Sequence, residues 1–246
     1  MFKDQVVRVV GAMSGTSLDG VDAAEIVTDG HVIFEFGNSV FRPYTQAQVA
    51  VLHDALGKWP EGDVTDACEL IEAVHIEVLS GFSDVDLIGF HGQTLAHDPK
   101  GRGTHQAGDG SVLSNILDKN VVWDFRSEDV AQGGQGAPLA PIYHWALARY
   151  AKLSEPVAIV NLGGVGNLTW VDPQQPAESG LLAFDTGPAN APLNDYMIKK
   201  LNKSYDENGV LAAQGAADPN VVARFLCDGY FVRPVPKSLD RDDFPY

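Results

Sequence analysis

The chain has 246 residues, 45% of them hydrophobic and 20% charged, which is typical of a globular protein with a sizeable core. Its 33 acidic residues against 17 Lys and Arg give a net charge of −16, so we expect no nucleic-acid partner and no anionic membrane partner. The two cysteines, Cys68 and Cys227, form neither a disulfide framework nor a metal-binding spacing. We therefore expect a cytoplasmic protein of one large or two ordinary domains.

The first elements predicted along the chain are strands. Apolar runs at residues 6–10 and 21–27 flank a turn that is rich in glycine and hydroxyl side chains. Asp29 and Gly30 predict a second tight turn, which leads to an antiparallel strand over residues 32–40. These signals together predict three consecutive antiparallel strands.

The turn at residues 11–20 is the first candidate site. Gly15 and Gly20 are able to adopt positive φ, which leaves the backbone amides of the turn uncovered by side chains. Amides exposed in this way can hold an anion, and Ser and Thr hydroxyls add donors. Because the net charge opposes an anion, a phosphate would need such a local cradle. An ordinary hairpin with a polar turn explains the same residues, and both interpretations stay open here.

Helices and strands then alternate, with Asp63 as the expected N-cap of the second helix. The predicted elements are helices over 45–56 and 64–82, a strand over 86–90, a short strand within 101–110, a helix over 112–117 and a strand over 121–123. A strand that is reached through helices is usually parallel to its neighbour, so we expect a mixed sheet.

A glycine-rich loop at residues 132–138 predicts a boundary between two lobes, 1–136 and 137–246. The elements predicted after it are a helix over 141–153, strands over 157–162, 168–171 and 181–184, a helix over 191–201 and a helix that begins at Asp218 and Pro219. A second glycine turn, residues 163–167, separates the first two of these strands.

The chain therefore contains the same pattern twice: strand, glycine turn, strand, strand and helix. Two such turns facing each other across a cleft would hold the two ends of a polyphosphate. The second copy shows three strands where the first shows five, the short strand within 101–110 not being counted. We expect an α/β protein of two related lobes, the second incomplete, and a chain that is a fragment or a natural truncation of a longer protein.

Polar residues follow the strand predicted over 86–90. Ligands favour the carboxyl ends of parallel strands, so Gln93 and Thr94 are suited to a polar neutral ligand such as a sugar. A polar loop with satisfied hydrogen bonds is the alternative. The nearby histidines fit no zinc or helical spacing, so we expect no metal site here.

Arg126 follows the strand predicted over 121–123 and has acidic and polar neighbours. Its guanidinium would either form an internal ion pair or bind a substrate carboxylate in bidentate fashion. The sequence leaves both interpretations open.

Asp185 is the strongest candidate for a catalytic residue. It is predicted at the end of a strand, because Gly187 and Pro188 stop the strand and lead into the next helix. A carboxylate held in this way can accept a proton from a nucleophile. Capping of the helix by Asp185 or Thr186 is the alternative.

Several motifs that together span nearly the whole chain resemble those of the anhydro-N-acetylmuramic acid kinases. They lie at residues 13–22 (MSGTSLDGVD), 91–94 (HGQT), 108–110 (GDG), 124–127 (DFRS), 133–139 (GGQGAPL), 161–167 (NLGGVGN) and 184–190 (FDTGPAN), with a late stretch at 236–238 followed by Arg241 and Phe244.

This resemblance implies the fold of actin-like (ribonuclease H-like) ATPases, with mixed five-stranded sheets. It also implies ATP-dependent phosphorylation of 1,6-anhydro-N-acetylmuramic acid, with hydrolysis of the anhydro bridge, in peptidoglycan recycling. Asp185 would be the general base, and Asp19 would hold Mg²⁺ through water. The implied nucleotide-binding residues are Gly15, Thr16, Ser17, Leu18, Asp19, Gly20, Val21, Asp22, Gly163 and Gly164. The implied sugar-binding residues are His91, Gln93, Thr94, Arg126 and Asn190, with Arg126 on the lactyl carboxylate.

Members of this family are longer than this chain, and the additional part should complete the second lobe and the adenosine pocket. We therefore expect the chain alone to be inactive. A non-catalytic protein that binds muramic sugars on the same scaffold is the main alternative, and a kinase for another sugar or acid is a weaker one. A homodimer is a further expectation.

Overall fold

The computed structural model describes residues 2, 5–15, 17–239 and 244. The chain divides into two compact units, Met1–Leu139 (unit 1) and Ala140–Tyr246 (unit 2). Within the described ranges, no helix combines the length and the apolar character needed to cross a membrane. Each unit has its own sheet, so the α/β class is confirmed.

The described residues of unit 1 form six strands and four helices. These are β1 (Val7–Ser14), β2 (Gly20–Thr28), β3 (Ile33–Pro43), α1 (Gln46–Ala55), α2 (Thr65–Leu79), β4 (Leu87–Asp98), β5 (Gly103–Ala107), α3 (Gly110–Leu117), β6 (Asn120–Trp123) and α4 (Ser127–Ala131). The strand order is β3-β2-β1-β4-β5, and β6 also pairs with β4. The β1–β4 and β4–β6 pairs are parallel, and the other pairs are antiparallel.

The prediction of five strands in this sheet is wrong, because β4 is longer than the predicted strand. Its first half pairs with β6 from Leu87, and its second half, from Gln93, pairs with β5. Gly92 between the halves has φ of +68°, and a Cβ there would lie 2.3 Å from the carbonyl oxygen of Ala107. Glycine at this position therefore lets one strand serve two different partners.

The core of unit 1 lies between the sheet and the helices α1, α2 and α3. Val10, Leu52 and Ile71 are all completely buried there. Thr45 forms a reciprocal capping box with Gln48 at the start of α1. The predicted cap of α2 by Asp63 is wrong, since the N-cap is Val64 and no side chain caps this helix.

In the part of unit 2 that the structure describes there are three strands and three α-helices, with two short 3₁₀ turns before the last helix. The elements are α5 (Ala140–Tyr150), β7 (Val157–Leu162), β8 (Val165–Val171), β9 (Leu181–Pro188), α6 (Asn190–Leu201) and α7 (Pro219–Leu226). The sheet order is β7-β8-β9, with antiparallel pairing throughout. Asp218 caps α7 by accepting from the N–H of Asn220, as predicted.

The outer edge of β7 has no strand partner within the described residues. Leu162 at the end of β7 is 66% exposed, and Ile142 on α5 is 61% exposed. The few fully buried side chains of unit 2 include Val171 and Tyr230. Unit 2 therefore has a small core and an open sheet edge.

Candidate functional site

The β1–β2 loop differs in one respect from the prediction. Positive φ was expected at Gly15 and Gly20, but the residue with positive φ is Leu18, at +55°. Leu18 is 6% exposed and belongs to the core of unit 1, which holds it in this costly conformation. Its N–H donates to the carbonyl oxygen of Gly15 at 3.0 Å and closes the turn. Thr16 lies outside the described residues.

Gly20 is required by packing rather than by its φ angle. A Cβ at this position would lie 2.4 Å from the carbonyl oxygen of Arg42 and 2.7 Å from the Phe41 ring. Glycine therefore allows the start of β2 to approach β3 closely.

Backbone amides of this loop are available to an anion. Within the described residues, the N–H groups of Gly15, Ser17 and Asp19 have no hydrogen-bond acceptor. The Val21 side chain is completely buried, so it can contribute only backbone atoms to a ligand. The loop retains the donors that a phosphate cradle needs.

Two carboxylates flank these amides. Asp19 is exposed, and its Oδ1 accepts from the Ser17 hydroxyl at 2.7 Å. Burial raises the pKa of the Asp22 carboxyl, and the charge of Asp19 raises it further. The two acids are therefore close enough to repel each other, and carboxylate oxygens are the ligands that Mg²⁺ prefers. A phosphate at this loop would need such a cation beside it.

Gln93 is part of a buried polar network that joins β1 to β4. The Ser14 hydroxyl donates to Gln93 Oε1 at 2.5 Å, and the Tyr44 hydroxyl donates to Ser14 at 2.9 Å. Gln93 is 0% exposed, and its Nε2 donates to the carbonyl oxygen of Thr94. The side chain thus has no exposed surface for the predicted sugar contact, and it supports the strands instead.

A cavity of about 190 Å³ lies beside the middle of β4, the strand β5 and the carboxyl end of β6. Phe90, Trp123 and Pro60 form its apolar walls. Its polar lining comes from His91, Thr104, His105, Gln106, Gly108, Asp124 and Ser127. Flat apolar faces combined with amide, hydroxyl and carboxylate groups suit a polar ring such as a sugar.

Thr94 supports the wall of this cavity. Its hydroxyl accepts from Gln106 Nε2 at 3.4 Å, and the same nitrogen donates to the Thr104 hydroxyl at 2.7 Å. Gln106 Oε1 is buried and has no hydrogen-bond partner among the described residues. Gln106 was not identified from the sequence.

Arg126 is half-buried and contacts the cavity through His91. Its Nε donates to His91 Nε2 at 3.0 Å, and its Nη1 donates to the carbonyl oxygen of Gly136 at 2.6 Å. Burial lowers the pKa of Arg126. No ion pair between Arg126 and a carboxylate occurs in the part of the chain that the structure describes, so the internal ion pair considered from the sequence is absent.

His91 is held as a neutral acceptor for Arg126. Its Nδ1 lies 3.0 Å from the carbonyl oxygen of Gly92, which places the proton on Nδ1 and leaves the lone pair on Nε2. Burial lowers the pKa of His91, and the charge of Arg126 lowers it further. No carboxylate among the described residues neutralises the positive charge of Arg126, which therefore favours an anionic ligand.

Asp185 lies within β9 rather than at its end, since the strand continues to Pro188. Its N–H donates to the carbonyl oxygen of Lys237 at 2.9 Å, and its own carbonyl accepts from the Tyr230 hydroxyl at 2.7 Å. Its Oδ2 accepts from the N–H of Leu239 at 2.8 Å. The N-cap of α6 is Ala189, and no side chain caps this helix, so the capping interpretation of Asp185 and Thr186 is wrong.

The second glycine turn is locked to the start of α6. The carbonyl oxygen of Gly163 accepts from the N–H of Asn190, and that of Gly164 accepts from the N–H groups of Ala189 and Ala191. The N–H groups of Gly163 and Gly164 have no acceptor among the described residues. The turn thus keeps its amides available, as the first turn does.

Asn190 is exposed and donates from Nδ2 to the carbonyl oxygen of Leu162 at 2.7 Å. This contact fixes the side chain and leaves Oδ1 for a ligand.

Comparisons with known proteins identify the family of the chain. The family model described as anhydro-N-acetylmuramic acid kinase matches residues 7–246. The chain belongs to this family. It is 59% identical to the anhydro-N-acetylmuramic acid kinase of Cereibacter sphaeroides over 99% of this chain and 67% of that protein. It is 54% identical to the protein of the same name from Ruegeria sp., over 99% of this chain and 66% of that protein.

This member of the anhydro-N-acetylmuramic acid kinase family spans about two thirds of the length of these curated relatives. An exopolyphosphatase-like protein of known structure matches with a TM-score of 0.41 at 12% identity, over 79% of this chain and 54% of that chain. A likeness this weak carries no argument about fold or function.

Proposed function

We propose that this protein phosphorylates O6 of 1,6-anhydro-N-acetylmuramic acid with ATP. Water opens the anhydro bridge in the same reaction, and the product is N-acetylmuramic acid 6-phosphate, a step of cell-wall recycling. The single observation that carries the proposal is the family match over residues 7–246. The geometry of the two units supports it at three places.

The first place is the cavity of unit 1, where we assign the sugar. The unneutralised guanidinium of Arg126 fits the lactyl carboxylate, because Arg binds carboxylates in bidentate fashion. His91 lines the cavity and orients Arg126, and Thr94 fixes its wall. Gln93 supports the strands through the buried network, and Asn190 stays a predicted sugar contact.

The second place is the pair of glycine turns, which we assign to the phosphates of ATP. The free amides of Gly15, Ser17, Gly163 and Gly164 are suitable donors. The carboxylates beside the first turn are suitable ligands for Mg²⁺, and Asp19 would bind the ion through a water molecule. When bound, Mg²⁺ would offset the negative charge of the phosphates.

The third place is Asp185, which we assign as the general base. Asp185 accepts a proton from water, and the water oxygen forms a bond to the anomeric carbon. The bond between that carbon and O6 breaks, and O6 takes the electron pair and bonds to the γ-phosphorus as ADP leaves. Phosphoryl transfer depends mainly on positioning and charge neutralisation, which we assign to the amides of the two glycine turns.

Turnover by the purified 246-residue chain tests this proposal against the expectation that the chain alone is inactive, and the affinity for the sugar is measured alongside. Asp185→Asn should lower the rate of ADP release in the presence of the sugar by about 10²–10⁴-fold, because it removes the base. The affinity for the sugar, measured by calorimetry, should stay within about twofold, since the cavity lies in unit 1. Unchanged turnover in the Asp185→Asn variant would contradict the assigned role.

A second candidate is a protein that binds the muramic sugar without turnover. The cavity and Arg126 lie entirely within unit 1, whose core is closed, whereas unit 2 has an open β7 edge. Sugar binding that is lost in Arg126→Met, with no ADP release from the parent chain, would favour this candidate over the kinase.

Other expectations stay predictions. They are the actin-like ATPase fold, the role of each lobe in nucleotide binding, a cytoplasmic location and a homodimer. Both cysteines are free, which is consistent with a reducing compartment.

A further inference from the structure

Residues 230–239, which we call the clasp, follow α7 and contact Asp185 at three points. The carbonyl oxygen of Lys237 accepts from the N–H of Asp185, and the Tyr230 hydroxyl donates to the Asp185 carbonyl. The N–H of Leu239 donates to Oδ2 of the Asp185 carboxylate. One short segment thus holds both the backbone and the carboxylate of Asp185.

The clasp is also bonded to itself. The ammonium of Lys237 donates to the carbonyl oxygens of Tyr230 at 2.9 Å and Phe231 at 3.2 Å. The same ammonium lies 4.5 Å from the centroid of the Tyr230 ring, within range of a cation–π contact. Tyr230 is 2% exposed, so the first end of the clasp is firmly packed. These contacts give the clasp a defined shape within a unit whose core is small.

The hydrogen bond from Leu239 gives the two carboxylate oxygens of Asp185 different roles. The terminal torsion of an aspartate is soft, so an unrestrained carboxylate samples a broad range of orientations. A hydrogen bond from a backbone amide to a carboxylate is charge-assisted and fixes the plane of the group. With Oδ2 bound to Leu239, Oδ1 is the carboxylate oxygen without a partner among the described residues, and it is the one we assign to accept a proton.

We propose that the clasp positions Asp185 for proton transfer, with the Leu239 amide and the Tyr230 hydroxyl as its positioning groups. This inference rests on the proposed function, in which Asp185 is the general base. A base must lie within hydrogen-bond reach of the proton that it accepts, so loss of the clasp should lower kcat and leave KM for the sugar unchanged.

Hydrogen exchange tests the contact without any turnover. The amide of Leu239 should exchange about tenfold faster in Asp185→Ala than in the parent chain, because its acceptor is gone. Asp185→Asn keeps a side-chain oxygen and should retain most of the protection. Equal exchange of Leu239 in the parent chain and in Asp185→Ala would overturn the proposal.

Turnover tests the consequence. Leu239→Pro removes the N–H and should lower kcat about tenfold or more with KM within twofold. The control variant Leu239→Ala shortens the side chain but keeps the N–H, so its kcat should equal that of the parent chain. Tyr230→Phe removes the hydroxyl that donates to the Asp185 carbonyl and should give a smaller loss. Parent kcat in Leu239→Pro, or equal losses in Leu239→Pro and Leu239→Ala, would overturn the proposal.

The two experiments separate the clasp from the proposed function. Absence of sugar-dependent ADP release from the parent chain would sink the kinase proposal, whereas exchange at Leu239 still decides whether the clasp binds Asp185. Fast hydrogen exchange of the Leu239 amide in an active parent chain would contradict the role of the clasp and leave the kinase proposal intact.

Discussion

Each unit contains three consecutive antiparallel strands, the first two joined by a glycine-containing turn, and the units differ in what surrounds those strands. In unit 1, β1 has a second partner, β4, and one face of the sheet is covered by helices. In unit 2, β7 pairs only with β8 within the described residues, and large apolar side chains on β7, α6 and α7 are exposed. The candidate groups of unit 1 therefore rest on a closed core, whereas Asp185 is held by the local bonds of the clasp.

The glycine turns of the two units also differ in what holds them in place. The β1–β2 loop is fixed by a buried side chain, Leu18, and by the close approach at Gly20. The β7–β8 turn is fixed by backbone bonds from Gly163 and Gly164 to the start of α6. Similar free amides are thus presented by tertiary packing in one unit and by local hydrogen bonds in the other.

The largest effect should come from the core of unit 1. Ile71→Ala removes a completely buried side chain, so we expect the free energy of unfolding to fall by about 2–5 kcal/mol. The matched change in unit 2, Ile198→Ala, affects a side chain that is 53% exposed and should cost less than about 1 kcal/mol. Urea unfolding followed by circular dichroism measures both, and equal losses would contradict the difference between the units.

Gly→Ala substitutions in the two turns should differ less in their effect on stability than the two Ile→Ala substitutions do. Gly20→Ala places a Cβ against the backbone of Arg42, so we expect a loss of about 1–3 kcal/mol in stability. For Gly164→Ala the nearest atom is the Cβ of Ala191 at 3.5 Å, and the cost should stay below about 1 kcal/mol. Thermal melting of the two variants measures these losses. A Gly164→Ala variant as unstable as Gly20→Ala would contradict the proposed difference between the turns.

A buried histidine should make unit 1 the more sensitive to acid. His75 is 0% exposed, its Nδ1 lies 2.7 Å from the carbonyl oxygen of Ile71, and burial lowers its pKa to about 4. The neutral form is therefore favoured in the fold, and its stabilising contribution is complete above the unfolded pKa of about 6.5 and lost as the pH falls towards 4. Between about pH 7.5 and pH 5 we expect a loss of about 2 kcal/mol.

Two variants check this assignment by urea unfolding at both pH values. His75→Gln should flatten the pH dependence, because the titrating ring is removed. His144 of unit 2 is less buried, although burial also lowers its pKa, so His144→Gln should leave most of the pH dependence in place. The reverse pattern would assign the acid sensitivity to unit 2.

Much of the fold follows from local patterns in the sequence. Apolar runs and the turn at Asp29 and Gly30 predicted the first three strands, and Asp218 before Pro219 predicted the start of α7. The extent of β4 was not predictable, because its second half depends on a distant strand, β5, and on the close approach at Gly92. A glycine in the sequence also does not show whether it is needed for its φ angle or for space, as Gly20 illustrates.

The candidate site was predictable as a set of residues but not as a set of contacts. Arg126 and Asp185 could be identified from their motifs, yet their partners His91 and Leu239 lie 35 and 54 positions away in the sequence. The walls contributed by Trp123 and Gln106 carry no local signal, since a cavity arises from the packing of separate elements. Buried groups such as Gln93 look the same in a sequence as exposed ones.

The mass of the reaction product tests the central claim most directly. The purified chain is incubated with ATP, Mg²⁺ and 1,6-anhydro-N-acetylmuramic acid, and the sugar product is analysed by mass spectrometry. The account predicts a product that has gained one phosphoryl group and one molecule of water, and no such product with Asp185→Asn. A phosphorylated sugar with its anhydro bridge intact, or a sugar that is bound but never phosphorylated, would contradict it.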